Sequence, residues 1–165
     1  MTDDTPDKPS VNNEQIAHIL KQIAGMLEFQ DENAFKLKAY SMAAETIDSL
    51  QVPIAEMVER GGAAELQKIP GIGKGISSQI VEIVHTGGST YLDELSKEVP
   101  LSVLDLRRVS GIGLKTAQLL YKDFGVKSLE GLSFLLESGG LKSVPGLGEK
   151  SIDRIKRSLD RLKQE

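Results

Sequence analysis

A Gly-x-Gly turn set between apolar, helix-patterned segments occurs three times in this chain of 165 residues. It reads Ile69-Pro70-Gly71-Ile72-Gly73-Lys74-Gly75, then Val109-Ser110-Gly111-Ile112-Gly113-Leu114-Lys115, then Val144-Pro145-Gly146-Leu147-Gly148-Glu149-Lys150. The first glycines stand 40 and then 35 residues apart. One such turn says little. Three with the same hydrophobic–x–Gly–hydrophobic–Gly pattern require a repeated helix–turn–helix unit, and a repeat of that period decides the fold before any other signal.

The turn has a chemical consequence. The helix that follows it begins with N–H groups that lack intrahelical acceptors, and the helix dipole places partial positive charge there. Glycines keep Cβ atoms out of the way of a bulky oxyanion and allow positive φ. Backbone alone then makes an anion site. Ile72, Ile112 and Leu147 would anchor the turns in the core, and Pro70, Ser110 and Pro145 would stiffen the entries. The alternative is that the glycines serve only tight helix packing. Other phosphate loops do not fit the spacing. A Walker loop needs four residues between its glycines, followed by Lys-Ser or Lys-Thr, and a dinucleotide fingerprint needs a third glycine and a preceding strand.

The rest of the chain reads as helix. Residues 1–12 are polar, carry Pro6 and Pro9, and predict a disordered tail. Ile16, Ile19, Leu20, Ile23, Met26 and Leu27 have helical spacing, with Asn12 or Asn13 as the cap. Phe35, Ala39, Tyr40, Ala43, Ile47 and Leu50 predict the inward face of a second helix, and Lys36 and Lys38 its polar face. Pro53 opens a short helix that Gly61-Gly62 stops, and Ala63 to Lys68 leads into the first turn. Ile76, Ile80, Ile83 and Val84 form the exit helix, ended by Gly87-Gly88. Helices follow near Tyr91 to Lys97, from Leu114 to Phe124 with Gly125 as cap, from Leu129 to Leu136, and after Gly148. No run alternates with period two, so no strand is expected. The fold class is all-α, with the small helical domain over 13–92 and the second and third turns over 93–165.

Charge divides along the chain. Residues 1–103 carry 8 Lys/Arg against 16 Asp/Glu, a net of −8, while residues 104–165 carry 12 against 8, a net of +4. Lys150, Arg154, Lys156, Arg157, Arg161 and Lys163 cluster in the last helix, interrupted by Asp153 and Asp160. They suit either a phosphate-facing surface or i, i+4 pairing on a solvated face. Cysteine is absent, which excludes disulfides and thiolate metal sites. His18 and His85 stand apart from any ligand cluster. No apolar run is long enough for a membrane span and no secretory pattern opens the chain, so a cytoplasmic location is expected.

The three turns resemble helix-hairpin-helix motifs, which bind DNA without reading sequence. From Asn13 onward the chain is similar to the N-terminal portion of family X DNA polymerases of the bacterial type. The best matches are Phe35-Lys36-Leu37-Lys38-Ala39-Tyr40, Leu66 to Ile80, and Leu106 to Phe124. The resemblance implies a polymerase-beta-like small domain that meets a 5′-phosphate at a DNA gap, a second hairpin gripping duplex backbone, and a third hairpin as in bacterial members. It implies DNA phosphate contacts at Gly71, Gly73 and Gly75, at Gly111, Gly113, Lys115 and Thr116, and at Gly146, Gly148 and Lys150. Lys36 and Tyr40 match positions that hold a 5′-phosphate. A monovalent cation, K+ or Na+, is implied on carbonyls of Gln67, Ile69 and Ile72, and of Arg107, Val109 and Ile112. Nicked or gapped duplex DNA is the implied partner, together with a separate polymerase or nuclease, and DNA repair the implied setting.

Four departures narrow this. Gln79 stands where the family's lyase lysine would be, and an amide cannot form a Schiff base. Gly75 replaces another phosphate-binding lysine, and Thr86-Gly87-Gly88-Ser89-Thr90 is uncharged. No Asp-x-Asp pair for two-metal nucleotidyl transfer is present. A non-enzymatic DNA-binding module with no catalytic residue is therefore expected. The alternatives are weak lyase or end-processing activity through Lys36, Lys38 or Lys74, and a protein-interaction scaffold.

Overall fold

The computed structural model describes residues 11–165. Its elements are helical throughout: α1 (Asn13–Phe29), α2 (Ala34–Ser49), α3 (Ile54–Leu66), α4 (Lys74–Thr86), α5 (Thr90–Glu98), α6 (Leu114–Phe124), α7 (Leu129–Glu137) and α8 (Glu149–Lys163). Two 3-10 segments, Leu101–Arg108 and Gly140–Ser143, lead into the second and third turns. Among the described residues there is no strand.

The chain forms two compact units, one ending at Glu98 and one beginning at Val99. The sequence-based division at 92/93 would have cut through α5. That helix belongs to the first unit because it packs on α1, where Gln30 Nε2 donates to the carbonyl of Leu95 at 3.1 Å.

In the first unit α1 is the central helix. Its apolar positions recur every three or four residues, and Ile16, Leu20, Ile23, Met26 and Leu27 are all removed from solvent. Packed with Ile47 of α2, Ile54 and Leu66 of α3, and Ile80 and Ile83 of α4, they form the core. Truncating any one of them to alanine costs about 2–5 kcal/mol, through lost burial and the cavity left behind. Most of the expected tail, residues 1–10, lies outside the described residues. Val11 is buried, and Asn12 starts α1 with a reciprocal cap in which its side chain accepts from Gln15 N–H and its own N–H donates to Gln15 Oε1, both at 2.8 Å. Asn13 ties α1 to the following link: its Oδ1 accepts from Ile54 N–H at 2.8 Å and its Nδ2 donates to Val52 O at 2.9 Å.

Two local expectations change in this unit. Phe35 is 88% exposed. It lies five residues before the buried Tyr40, which at 3.6 residues per turn puts it about 140° around the helix from that side chain. The stop expected at Gly61-Gly62 is a break inside α3, where Gly62 leaves helical geometry at φ 61° and ψ −146°.

The second unit buries Val103 and Leu106 of the first 3-10 segment, Leu120 of α6, Leu132 of α7, and Ile155 and Leu159 of α8. Its two turns approach their exit helices through 3-10 segments rather than α-helices, a tighter winding that suits short pieces.

Candidate nucleic-acid interface

Each repeated turn has the same backbone. Ile69, Val109 and Val144 accept through their carbonyls from the N–H groups of Ile72, Ile112 and Leu147, at 3.1, 3.1 and 3.2 Å. The first glycines, Gly71, Gly111 and Gly146, have φ of 93°, 98° and 87°. Proline or serine at the second position and glycine with positive φ at the third make these type II turns. Here glycine is demanded by the fold. Ile72 and Ile112 are buried as anchors, whereas Leu147 is only half-buried.

The second glycines answer to a different requirement. Gly73, Gly113 and Gly148 start α4, α6 and α8 with extended backbone at φ −89°, −94° and −94°, which any residue adopts. Nothing lies within 4 Å of a Cβ built on any of them. Neither conformation nor packing asks for glycine. No side chain caps these three helices. Among the described residues every other α-helix start is satisfied by a side chain, while the two 3-10 segments begin on Pro100 and Gly139 without one. Asn12 caps α1, Asn33 caps α2 and Ser128 caps α7. Ser89 Oγ accepts from Leu92 N–H in the first turn of α5 at 3.1 Å, and Asn13 takes the first N–H of α3. The α-helix starts left uncapped and open are those of the hairpins, and the same property occurs three times: amides without a capping side chain and with free space at the preceding glycine.

The side chains at these starts are mostly cationic or small. Lys74, Lys115 and Lys150 are exposed in the first turns of α4, α6 and α8, with Gly75 exposed and Thr116 half-buried. On donor chemistry the turns fit a monovalent cation. The candidate ligands Gln67, Ile69, Ile72, Arg107, Val109 and Ile112 offer neutral carbonyls, and Ile69 and Val109 each keep a lone pair after accepting the turn bond. Among the described residues no group of His, Asp and Glu is placed to hold a metal ion, and His18 and His85 are exposed. No helix there is long and apolar enough to cross a membrane.

A second feature lies in the first unit. An open pocket of about 300 Å³ is lined by Lys36, Ala39, Tyr40, Gly75, Ile76, Gln79 and Tyr91. The fold thus brings together four positions singled out in the sequence, from α2 and α4, and adds Tyr91 from α5. The Tyr40 and Tyr91 ring centroids are 5.9 Å apart, and Lys36 Nζ sits 5.4 Å from the Tyr91 centroid, within range of a cation–π contact. Burial pushes the Tyr40 phenol up to about 12, and the neighbouring Tyr91 adds to the shift. Tyr40 is therefore a neutral O–H donor across the physiological range. Gln79 Oε1 accepts from Ser89 Oγ at 3.4 Å, which ties the amide to the start of α5. Tyr91 escaped sequence reasoning because its role depends on α5 folding back onto α1, and Tyr91-Leu92 carries no motif.

On α8 the alternatives for the basic cluster separate residue by residue. Arg157 pairs with Asp153 at 3.2 Å, the expected i, i+4 contact. Arg154 and Arg161 lie with Arg157 and Asp160 around an open groove.

Known proteins place this arrangement. Residues 11–89 match a helix-hairpin-helix domain, and residues 103–161 match a SAM-like helix-hairpin-helix tandem. The chain is 32% identical over 149 residues to the DNA polymerase/3′-5′ exonuclease PolX of Bacillus subtilis (strain 168), covering 90% of this chain and 25% of that protein. It is 29% identical over 151 residues to DNA polymerase lambda of Rattus norvegicus, covering 90% of this chain and 24% of the relative. It spans about a quarter of the length of these curated relatives. Uncapped glycine turns, an all-helical fold and these matches lead to one conclusion: the chain is built of helix-hairpin-helix domains that correspond, over nine-tenths of its length, to the N-terminal region of family X DNA polymerases, and its 165 residues hold no polymerase core.

Proposed function

We propose that this chain grips the sugar–phosphate backbone of duplex DNA through its three hairpins, without reading sequence, in the setting of DNA repair. The observation that carries this is the selective absence of caps. Four helices begin under an Asn or Ser side chain and a fifth is tied to Asn13, while α4, α6 and α8 begin on bare glycine with open space ahead. A capping side chain stabilises a helix start by about 1 kcal/mol relative to alanine, and glycine by somewhat less. A chain that leaves this out at the same place three times leaves it out for a ligand. A phosphodiester supplies the missing acceptors and suits the dipole. Contacts of this kind position a protein on DNA and carry no base information. The expected affinity is that of non-specific binding, ~10⁻⁴ to 10⁻⁶ M at physiological salt.

The preferred form is nicked or gapped duplex. The Lys36–Tyr40–Tyr91 pocket offers a cation and a neutral phenol donor for a terminal 5′-phosphate. Phe35, exposed on the first turn of α2 beside Lys36, is free to stack on an unpaired base. A monovalent cation on the turn carbonyls would neutralise phosphate charge that the amides do not. Lyase chemistry is not part of the proposal, because Gln79 occupies the pocket where an amine would be required. A separate polymerase or nuclease would then act on the DNA that this chain holds.

Fluorescence anisotropy with gapped, nicked and intact duplexes of one sequence tests both levels. Tightest binding to the 5′-phosphorylated gap is expected, weakening on removal of that phosphate. Absence of binding to all three at low salt would refute the DNA reading and favour a protein-interaction scaffold.

A further inference from the structure

The turn of the second hairpin lies against α8, the exit helix of the third. A Cβ on Gly111 would be 3.4 Å from Arg154 Cδ and 3.5 Å from Ile155 Cγ1. The other first glycines have no such cover: the nearest atom to Gly71 is Thr46 Oγ1 at 3.7 Å, and nothing is within 4 Å of Gly146. The contact is built in. Ile155 is fully buried, and Ser158, one turn further along α8, is buried with its hydroxyl on the N–H of Ser110. The aliphatic stem of Arg154 therefore runs over the turn, and its guanidinium starts one bond beyond Cδ. Among the described residues Arg154 has no ion-pair partner. Its neighbour Arg157 is held by Asp153 at 3.2 Å, and Arg108 by Asp105 and Glu165 at 3.5 and 3.3 Å.

We propose that Arg154 is a phosphate ligand of the second hairpin, so that the tandem hairpins of the second unit form one composite backbone grip instead of two separate ones. This rests on the DNA-backbone reading above and adds to it the side chain that supplies the net charge. The amides at the start of α6 are neutral donors. An arginine laid across the same turn adds a planar fork that engages two phosphate oxygens at once. Its stem already lies over Gly111, a placement that lessens the side-chain freedom to be lost when DNA binds. Absence of side-chain bulk at Gly111 leaves the path of that stem open.

The test uses the whole chain and a fluorescent intact duplex, titrated at several salt concentrations. R154Q and R157Q each remove one positive charge from the same exposed helix face, and R154Q keeps a side chain over Gly111. R154Q is expected to weaken binding about three- to tenfold at low salt and to flatten the slope of log K against log salt by about 0.9, the share of one phosphate contact. R157Q is expected to stay within about twofold, and R154K to recover only part of the loss because it keeps the charge without the fork. Equal losses for R154Q and R157Q would show a diffuse field and overturn the proposal. So would an unchanged R154Q while Gly113→Asp abolishes binding, a result that leaves the DNA-backbone reading standing. Unchanged binding in Gly73→Asp, Gly113→Asp and Gly148→Asp alike would overturn both.

Discussion

The N–H of Ser110 donates to the buried hydroxyl of Ser158 at 2.9 Å. The other two hairpins carry proline at the position of Ser110, with no N–H to satisfy. The second hairpin thus exchanges a rigid residue for a bond that pins its turn to α8. Ser158→Ala should leave that N–H short of an acceptor and cost about 1–3 kcal/mol, the penalty of an unmatched donor. Adding Ser110→Pro removes the orphaned donor. Val109, at φ −80° and ψ 124°, already has the backbone that precedes proline, as Val144 has at φ −81° and ψ 120°. The double variant should therefore regain most of the stability lost by Ser158→Ala. Thermal unfolding of the three proteins checks this, and a double variant weaker than the single one would contradict it.

The two glycines of each turn should behave oppositely on substitution. Gly111→Ala forces a side chain into φ 98°, a conformation costing about 1–3 kcal/mol. Gly113→Asp meets no neighbour and supplies a capping oxygen to α6, so stability should be held or slightly raised. Its DNA affinity should fall at least tenfold, since a carboxylate then occupies the place of the phosphate and repels it. Chemical denaturation and anisotropy on the same samples separate the two effects.

The pH dependence of stability has a definite sign at its alkaline end. The folded chain holds the Tyr40 proton more tightly than the unfolded chain does, about 12 against an ordinary 10.0. The contribution is fully present below pH 10 and is lost as pH rises toward 12. Ultraviolet titration should show Tyr40 ionising above the ordinary phenol value. Tyr40→Phe should flatten that part of the stability curve, and an unchanged alkaline limb in this variant would assign the effect elsewhere.

Gln79→Lys should create reactivity that the parent chain lacks. It places an amine in the pocket beside Lys36, whose charge lowers the new lysine's pKa and raises its free-base fraction. Ser89 Oγ still accepts from Leu92 N–H at 3.1 Å, so the start of α5 keeps its cap. Borohydride trapping on an incised abasic duplex should give an adduct with Gln79→Lys and little or none with the parent. An adduct of equal yield in both would show that one of the existing lysines reacts.

The all-helical fold and the hairpins were legible because glycine pattern and helical apolar spacing are local properties. The buried face of α1 could be read residue by residue for the same reason. Phe35 was misplaced on the core face of α2 because an aromatic near Ala39 and Ala43 looks apolar in sequence, whereas the helical angle from Tyr40 carries it toward solvent. The division between units also moved, from 92/93 to 98/99, since α5 is assigned by its packing on α1 and not by its composition. Tyr91 beside Lys36, and Arg154 over Gly111, join residues 55 and 43 apart in the chain, and no spacing rule reaches that far. The Arg157–Asp153 pair, by contrast, is a local i, i+4 contact that the spacing already offered.

The bare helix starts have a consequence for hydrogen exchange. The first amides of α4, α6 and α8 have no acceptor among the described residues, so in the free chain they should exchange near the rate of an unstructured peptide even though the helices behind them are protected. The capped starts of α1, α2 and α7 should exchange more slowly by comparison. A bound phosphate would slow the bare ones individually. Each hairpin therefore carries its own isotopic reporter, and exchange measured on and off DNA would show which of the three is engaged, and in what order they let go as salt is raised.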